Sequence, residues 1–430
     1  MRWSNGMKPK LSRDLFPAVV SMVVIGTGTN LDGFFIGGAL GDNGLAAINL
    51  VWPIVAFLTS VGTGLGMGGA IRVSRLRGQG AVQQAETAKN TALALLLLAG
   101  VAVGLLLSLI CRPLLRLLGA AGEVHTLSVA YARVLCIGAV FQVAGSGLPA
   151  LLRNDGKAGC SMVYSLIGLG VHLLLDALLI RRWSMAGIAA ASCLSQLVIA
   201  LLNLCSLRPR KSGGLCPAAA LPLLRDAAAP FGLNFVPSLV LLVTNAAALR
   251  EGGVAAVSAY AVMSYAVYTF DYMVQGVCDG IQPTVSYCVG AGDGPGIRRA
   301  CRCAALLLGG LSVGFAVLTP VLIRVMPGLF SVSSAALAMM RIGFWIYAAA
   351  YLPKAAAKLV CACFYAAGAV RPANLLVYLD PLCLTPLALA VCCPLLDVNG
   401  VWAAMTAAQL LLAAVSLLLF RRRGKAILTP

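Results

Sequence analysis

The run TALALLLLAGVAVGLLLSLI (residues 91–110) carries no charge over about the length that an α-helix needs to cross a bilayer. WAAMTAAQLLLAAVSLLLF (402–420) is a second such run, and others recur along the whole chain. Each is near the length needed to cross a bilayer as a helix. Charged residues make up 11% of the chain, where a soluble domain carries about 25%. The sequence therefore reads as an all-α polytopic membrane protein.

Twelve transmembrane helices are expected, at about 14–38, 46–70, 87–111, 124–148, 158–180, 185–206, 223–248, 255–281, 297–323, 335–358, 371–394 and 397–420. The first follows Lys8, Lys10 and Arg13 in the manner of a signal peptide, but without a small-residue cleavage site it reads as a retained span. The net charge of +18 does not point to nucleic acid, because the basic residues fall in clusters between the apolar runs. Arg72, Arg75 and Arg77; Arg208, Arg210 and Lys211; Arg298, Arg299 and Arg302; and Arg421, Arg422 and Arg423 all land on one side of a twelve-span path. Basic loops mark the cytoplasmic side, so both termini are expected there, with anionic lipid headgroups as neighbours. The 15 cysteines include no C-x-x-C pair and no zinc spacing, and read as small packing residues.

The widest connection lies around SLRPRKSGGLCPAAALP (206–222) and divides the spans six and six. The expected organisation is a cytoplasmic segment 1–13, an N-lobe 14–206, a cytoplasmic linker 207–222, a C-lobe 223–420 and a basic tail 421–430. GLGMGGAIRVSRLRGQG (64–80) aligns without gaps on GVCDGIQPTVSYCVGAG (276–292), a step of 212, and GIAAASCLSQL (187–197) on GVWAAMTAAQL (400–410), a step of 213. Six spans return the chain to its starting side, so the two units are expected to be parallel six-helix repeats, with substrate bound between them. GLGMGG fits a dinucleotide fingerprint but sits inside an apolar span instead of after a strand, so Gly64/Gly68 and Gly276/Gly280 read as helix-packing pairs.

Charges inside the spans are the candidate functional residues. A carboxylate at mid-bilayer costs about 2.5–3.5 kcal/mol on insertion scales, and such residues usually line a cavity or bind an ion. Asp32, with Asn30 beside it, interrupts the first apolar run; Asp176 lies in VHLLLDALLI, one helical turn from His172. Asp271, Gln275, Asp279 and Gln282 share a helix face in the eighth span. Asp271 reads as cavity-lining there, and Asp279 and Gln282 as a solvated helix end. Lys354 and Lys358 are one turn apart in the tenth span, and the favoured reading has them snorkel to the cytoplasmic edge. The other readings pair them with Asp380 or Asp271, or set them against an anionic substrate group.

NLDGFFIGGALGDNGLAAINLVWP (30–53), SRLRGQG (74–80), LLRNDGKAG (151–159), DGIQPTVSYCVGAG (279–292) and GVW (400–402) occur in an order that resembles the multidrug and toxin extrusion (MATE) family, nearly end to end. The DGIQP version resembles a bacterial drug-efflux subgroup. The resemblance implies a two-lobed, V-shaped transporter that exchanges organic compounds, cationic or amphipathic, for protons or sodium. It implies that Asp32 and Asp176 are the N-lobe acids, with Ser192 where relatives carry threonine and His172 where they carry asparagine. Asn234 stands where some relatives have an acid, which puts a C-lobe sodium site in doubt.

Sodium prefers several oxygen ligands, and histidine for asparagine removes one. Two carboxylates beside an imidazole suit proton exchange, so protons are the expected coupling ion and sodium the alternative. The cation-coupling and substrate-binding set is Asp32, Asp176, His172, Asn30 and Ser192; Asp271, Gln275, Asp380 and Lys358 form a secondary cavity set. No catalytic residue, metal centre or cofactor is expected, and a monomer holding both lobes suffices. The rival within transport is a flippase for lipid-linked precursors. An intramembrane protease is disfavoured, because AGSG (144–147) departs from G-x-S-G at Ala144 and the histidines are only His125 and His172.

Overall fold

The computed structural model describes residues 11–207, 214–330 and 333–428. Side chains of 11–14, 25, 27–31, 34, 42, 329–330 and 425–428 are outside that description. The expected basic cluster Arg208, Arg210 and Lys211 also lies outside the described residues.

Every regular element among the described residues is helical. They run α1 (Leu11–Gly78), α2 (Val82–Leu117), α3 (Gly122–Ile137), α4 (Ala139–Asn154), α5 (Ala158–Leu207), a 3-10 turn (Pro217–Ala219) and α6 (Ala220–Ala291). Then follow α7 (Gly294–Phe330), α8 (Ser334–Ala348), α9 (Tyr351–Ala366), α10 (Val370–Leu379), a π-helical turn (Asp380–Leu384), α11 (Thr385–Leu396) and α12 (Val398–Leu428). Helices α1, α5 and α6 are each two membrane passages meeting at one non-helical residue: Gly41, Ser184 and Gly253. The pairs α3/α4 and α8/α9 are single passages bent by 62° and 50°. Counting α10, the π turn and α11 as one more gives the expected twelve.

Backbone geometry reproduces the internal repeat. Gly41 and Gly253, 212 residues apart, share left-handed φ values of 59° and 64°. Gly80/Gly292 and Gly156/Gly368 repeat the device at the same step. Ser184 and Asp397, 213 apart, make the corresponding turn with φ of 51° and 50°. Just beyond them, a Cβ on Gly187 would run into the Leu179 carbonyl oxygen and one on Gly400 into that of Cys392, again at a step of 213. Side chains are strained in this conformation where glycine is not. Ser184→Gly and Asp397→Gly are therefore each expected to stabilise the protein by about 1 kcal/mol, read as a rise in the midpoint of thermal unfolding in detergent.

Cα packing separates the chain into two compact units, one ending at Phe235 and one beginning at Val236. The division falls inside α6. In the first unit α1, α4 and α5 pack together, with α2 and α3 alongside; in the second, α12 packs against α8, α9 and α11. Helix α2 shows how such a unit meets lipid. Leu98, Leu105 and Leu109 stand exposed along one stripe, while Leu96, Gly100, Gly104, Leu107 and Cys111 are buried on the other face. Leucine costs nothing in hydrocarbon, so small residues that let helices approach closely decide the inner face. The cysteines are all free thiols, most of them buried or half-buried in these interfaces.

At the ends of α1, α2 and α4 a charge network ties the first unit together. Arg77 reaches Asp155 at 2.7 Å and Glu86 at 3.2 Å, and Lys89 reaches Glu86 at 2.9 Å. Two cations and two acids are nearly enclosed there, so each charge has the partner that burial demands.

Candidate functional site

In the first unit, the packing of α1 on α5 brings three ionisable side chains together. His172 Nε2 lies 3.4 Å from Asp32 Oδ1 and 3.6 Å from Asp176 Oδ2. The i,i+4 spacing on α5 presents His172 and Asp176 to the same neighbour, and that neighbour is the Asp32 turn of α1. Asp176 is fully buried, and Asp32 and His172 are nearly so. The burial leaves polar atoms unsatisfied. Asp32 Oδ1, both Asp176 oxygens and His172 Nε2 have no well-formed hydrogen bond. Unsatisfied carboxylate oxygens in an apolar interior are costly unless a proton or a cation completes them. One ligand atom from each of the three residues lies within 4.8 Å of the others, the dimensions of a small-cation site. The donors are two carboxylates and an imidazole nitrogen, a poorer match to sodium than an all-oxygen set.

Ser192 is placed differently. It accepts a hydrogen bond from Gln142 Nε2 at 2.8 Å, and no hydrogen bond joins it to the three among the described residues. Asn30 lies on the same helix as Asp32, but its side chain is outside the described ones.

The second unit holds its own buried cluster. Lys354 Nζ donates to Asp271 Oδ2 at 2.6 Å and to the Tyr347 hydroxyl at 3.2 Å. Lys358 Nζ lies 3.4 Å from the other Asp271 oxygen. The lysines therefore do not snorkel as expected: both ammonium groups turn inward onto one carboxylate, because an internal partner was available 83 residues earlier in the chain. Asp279 and Gln282, expected at a solvated helix end, are buried instead. Asp279 accepts from Gln275 at 2.8 Å, and Gln282 donates to Ser286 at 2.9 Å. The Ser286 hydroxyl donates in turn to the Ala366 carbonyl, so this helix end packs on α9 instead of meeting water.

Asp380 begins the π turn and accepts from Thr385 at 2.7 Å and Gln409 at 2.9 Å, away from the lysines. Pro381 has no N–H to give, which loosens the turn there. Asn234 bonds back to the Pro230 carbonyl of its own helix. Tyr347, Gln142 and Gln409 were not singled out in the sequence. For Gln409 a signal existed: it lies in the second repeat match, opposite Gln196.

Residues 17–178 match the family model MatE. Over 413 residues the chain is 23% identical to the multidrug export protein MepA of Staphylococcus aureus (strain N315), covering 91% of this chain and 89% of that protein. Solved structures of the same fold include an outward-facing multidrug resistance MATE family transporter, with a TM-score of 0.91 at 21% identity over 97% of this chain and 96% of that one. A MOP superfamily transporter from Pyrococcus furiosus superposes with a TM-score of 0.90 at 20% identity, again over 97% and 96%. The MatE match over residues 17–178, the relative along nine-tenths of the chain and the shared fold lead to one assignment: residues 17–178 form a MatE domain, and the chain along its length is similar to multi-pass transporters of the multidrug and toxin extrusion family.

Proposed function

We propose that this protein exports small organic compounds across the cytoplasmic membrane in exchange for protons, acting as a monomer with both termini in the cytoplasm. The observation that carries the reading is the Asp32–His172–Asp176 cluster, with its buried, unsatisfied carboxylate oxygens. A proton bound there neutralises one of two adjacent acids and removes their mutual repulsion. Its release restores a negative charge that favours a state in which the cluster is hydrated or faces a cationic group. The two protonation states thus prefer different arrangements of α1 against α5, which is what coupling requires. A MepA-type relative that exports drugs supports the transport direction.

Purified protein in liposomes loaded with a fluorescent organic cation tests the ion. A pH gradient imposed alone is expected to drive movement, and a sodium gradient at fixed pH is not. His172→Asn restores an amide oxygen beside the two carboxylates and is expected to let sodium drive transport as well. Sodium-driven movement by the unaltered protein would overturn proton coupling. The flippase reading draws on the buried Lys354 and Lys358, but Asp271 already neutralises one of those charges. A lipid diphosphate carries more negative charge than the remainder balances.

A further inference from the structure

A cavity of about 370 Å³ opens in the first unit between the last turns of α2 and the facing side of α3. Arg112 and Arg116 line it from α2, and His125 and Arg133 from α3. None of the three guanidinium groups has an ion pair or hydrogen bond among the described residues. His125 Nε2 is buried and likewise has no hydrogen-bond partner. The acids of this unit are mostly placed elsewhere. Asp32 and Asp176 lie beside His172, while Glu86, Asp155 and Asp226 pair with Arg77, Lys89 and Arg75 at the other end of α2. Asp14 begins α1 at that same end. Asp42 and Glu123 remain, and Glu123 accepts from Asn43 at 2.7 Å. Even both of these carboxylates together do not match three guanidiniums.

The arginines also stand on a lipid-facing surface. Leu98, Leu105 and Leu109 are exposed along one stripe of α2, and steps of seven residues carry it from Leu105 to Arg112 and from Leu109 to Arg116. Both arginines are exposed. On α3, Arg133 is exposed one turn before Ile137, which is 82% exposed. An arginine on the outer face of a membrane-spanning helix takes its counter-charge from outside the protein. The duplicate unit shows that the fold itself does not need these charges. The step of 212 sets Leu337 opposite His125 and Trp345 opposite Arg133, and Trp345 is 57% exposed. Topology does not call for them either, because they lie at the end of α2 away from the basic cluster Arg72, Arg75 and Arg77.

We infer that this cavity binds the phosphodiester of an anionic membrane phospholipid, whose acyl chains lie along the leucine stripe of α2. Arg112, Arg116 and Arg133 supply the charge, and His125 Nε2 donates to a phosphate oxygen. The stripe selects a lipid over a soluble phosphate, which has no apolar part to cover those leucines. The surplus positive charge selects an anionic headgroup over a choline headgroup, whose fixed cation would sit among the guanidiniums. The volume falls within the range of about 300–1,000 Å³ that small-ligand pockets occupy. This site is independent of the coupling ion and of the exported compound.

Native mass spectrometry of the purified full-length protein in detergent tests the site with no gradient imposed. The lipids are phosphatidylglycerol and phosphatidylcholine with the same acyl chains, supplied in equal amounts. One arginine near the membrane surface favours an anionic lipid by about fivefold. With three, the single-lipid adduct of the wild type is expected to hold phosphatidylglycerol at least about 10-fold in excess. Arg112→Gln, Arg116→Gln and Arg133→Gln combined are expected to abolish that preference. Lysine at the same three positions keeps the charge and is expected to retain it. Arg421→Gln, Arg422→Gln and Arg423→Gln combined remove as much charge at a distant cluster and are expected to leave the preference in place. Glycerol 3-phosphate in large excess, which offers the phosphate without the chains, is expected not to displace the lipid. Equal retention of the two lipids by the wild type, or a preference that survives the first glutamine variant, would overturn the assignment. So would a preference lost in the lysine variant, an equal loss in the Arg421–Arg423 variant, or displacement by glycerol 3-phosphate.

Discussion

Replacing Asp32 by asparagine is expected to cut gradient-driven export by about 10- to 100-fold, the range of a coupling free energy of 1–3 kcal/mol, while the protein stays folded. The reasoning separates function from stability. Asp32 lies beside Asp176, whose two oxygens lack hydrogen bonds and whose side chain has no exposure. On the proposed reading, two acids and an imidazole are tolerated in so dry a place because they share an exchangeable proton. An amide of nearly the same shape removes one charge and one proton site without leaving a cavity. The thermal midpoint is therefore expected to hold or rise in Asp32→Asn, since the remaining carboxylate loses a repulsive neighbour. Transport by the variant in proteoliposomes at the wild-type rate, under a pH gradient, would remove Asp32 from the coupling step. A large fall in thermal stability would show a structural role instead.

That Asp32 could be singled out from sequence, and Ser192 could not be placed, has a physical reason. A carboxylate in an apolar, glycine-studded run conflicts with its solvent wherever the chain folds, so it announces itself. His172 and Asp176 add a local geometric fact, because four residues along a helix is one turn. Helix α2 illustrates the limit: its apolar centre was found at 87–111, but the helix runs Val82–Leu117. Hydropathy registers the lipid-facing middle and is blind to ends held by charge, here Glu86 in the Arg77 network. Ser192 is one of many small polar residues, and its partner Gln142 is 50 residues away. The Lys354–Asp271 pair likewise depends on which helices become neighbours, which is a tertiary fact. Snorkelling was the reasonable local solution, and a buried acid supplied another.

Glycine patterns were ambiguous in a different way, and they lead to the second large effect: Gly147→Val is expected to destabilise the first unit by about 3 kcal/mol or more. The segment GTGLGMGG (62–69) offers several small-residue pairs, and the sequence favoured Gly64 and Gly68 as a packing face. Those two do sit against α6, at Phe231 and Ala227, but the tightest approach belongs to their neighbours. A Cβ on Gly66 would enter the Gly147 backbone, 2.6 Å from its Cα. One on Gly147 would lie 2.5 Å from both the Gly62 carbonyl oxygen and a Leu96 methyl. Because these neighbours are mostly backbone, no rotamer change relieves the clash, and α1 and α4 must move apart. Gly310→Val is the matched control, since a Cβ at Gly310 meets nothing within 4 Å and α7 faces open space there. Valine is at least as good a helix former as glycine, so that variant is expected to unfold within about 1 kcal/mol of wild type. Thermal unfolding of both variants in detergent, followed by size-exclusion profile, distinguishes the two positions. Equal behaviour would mean that α1 and α4 are not in backbone contact.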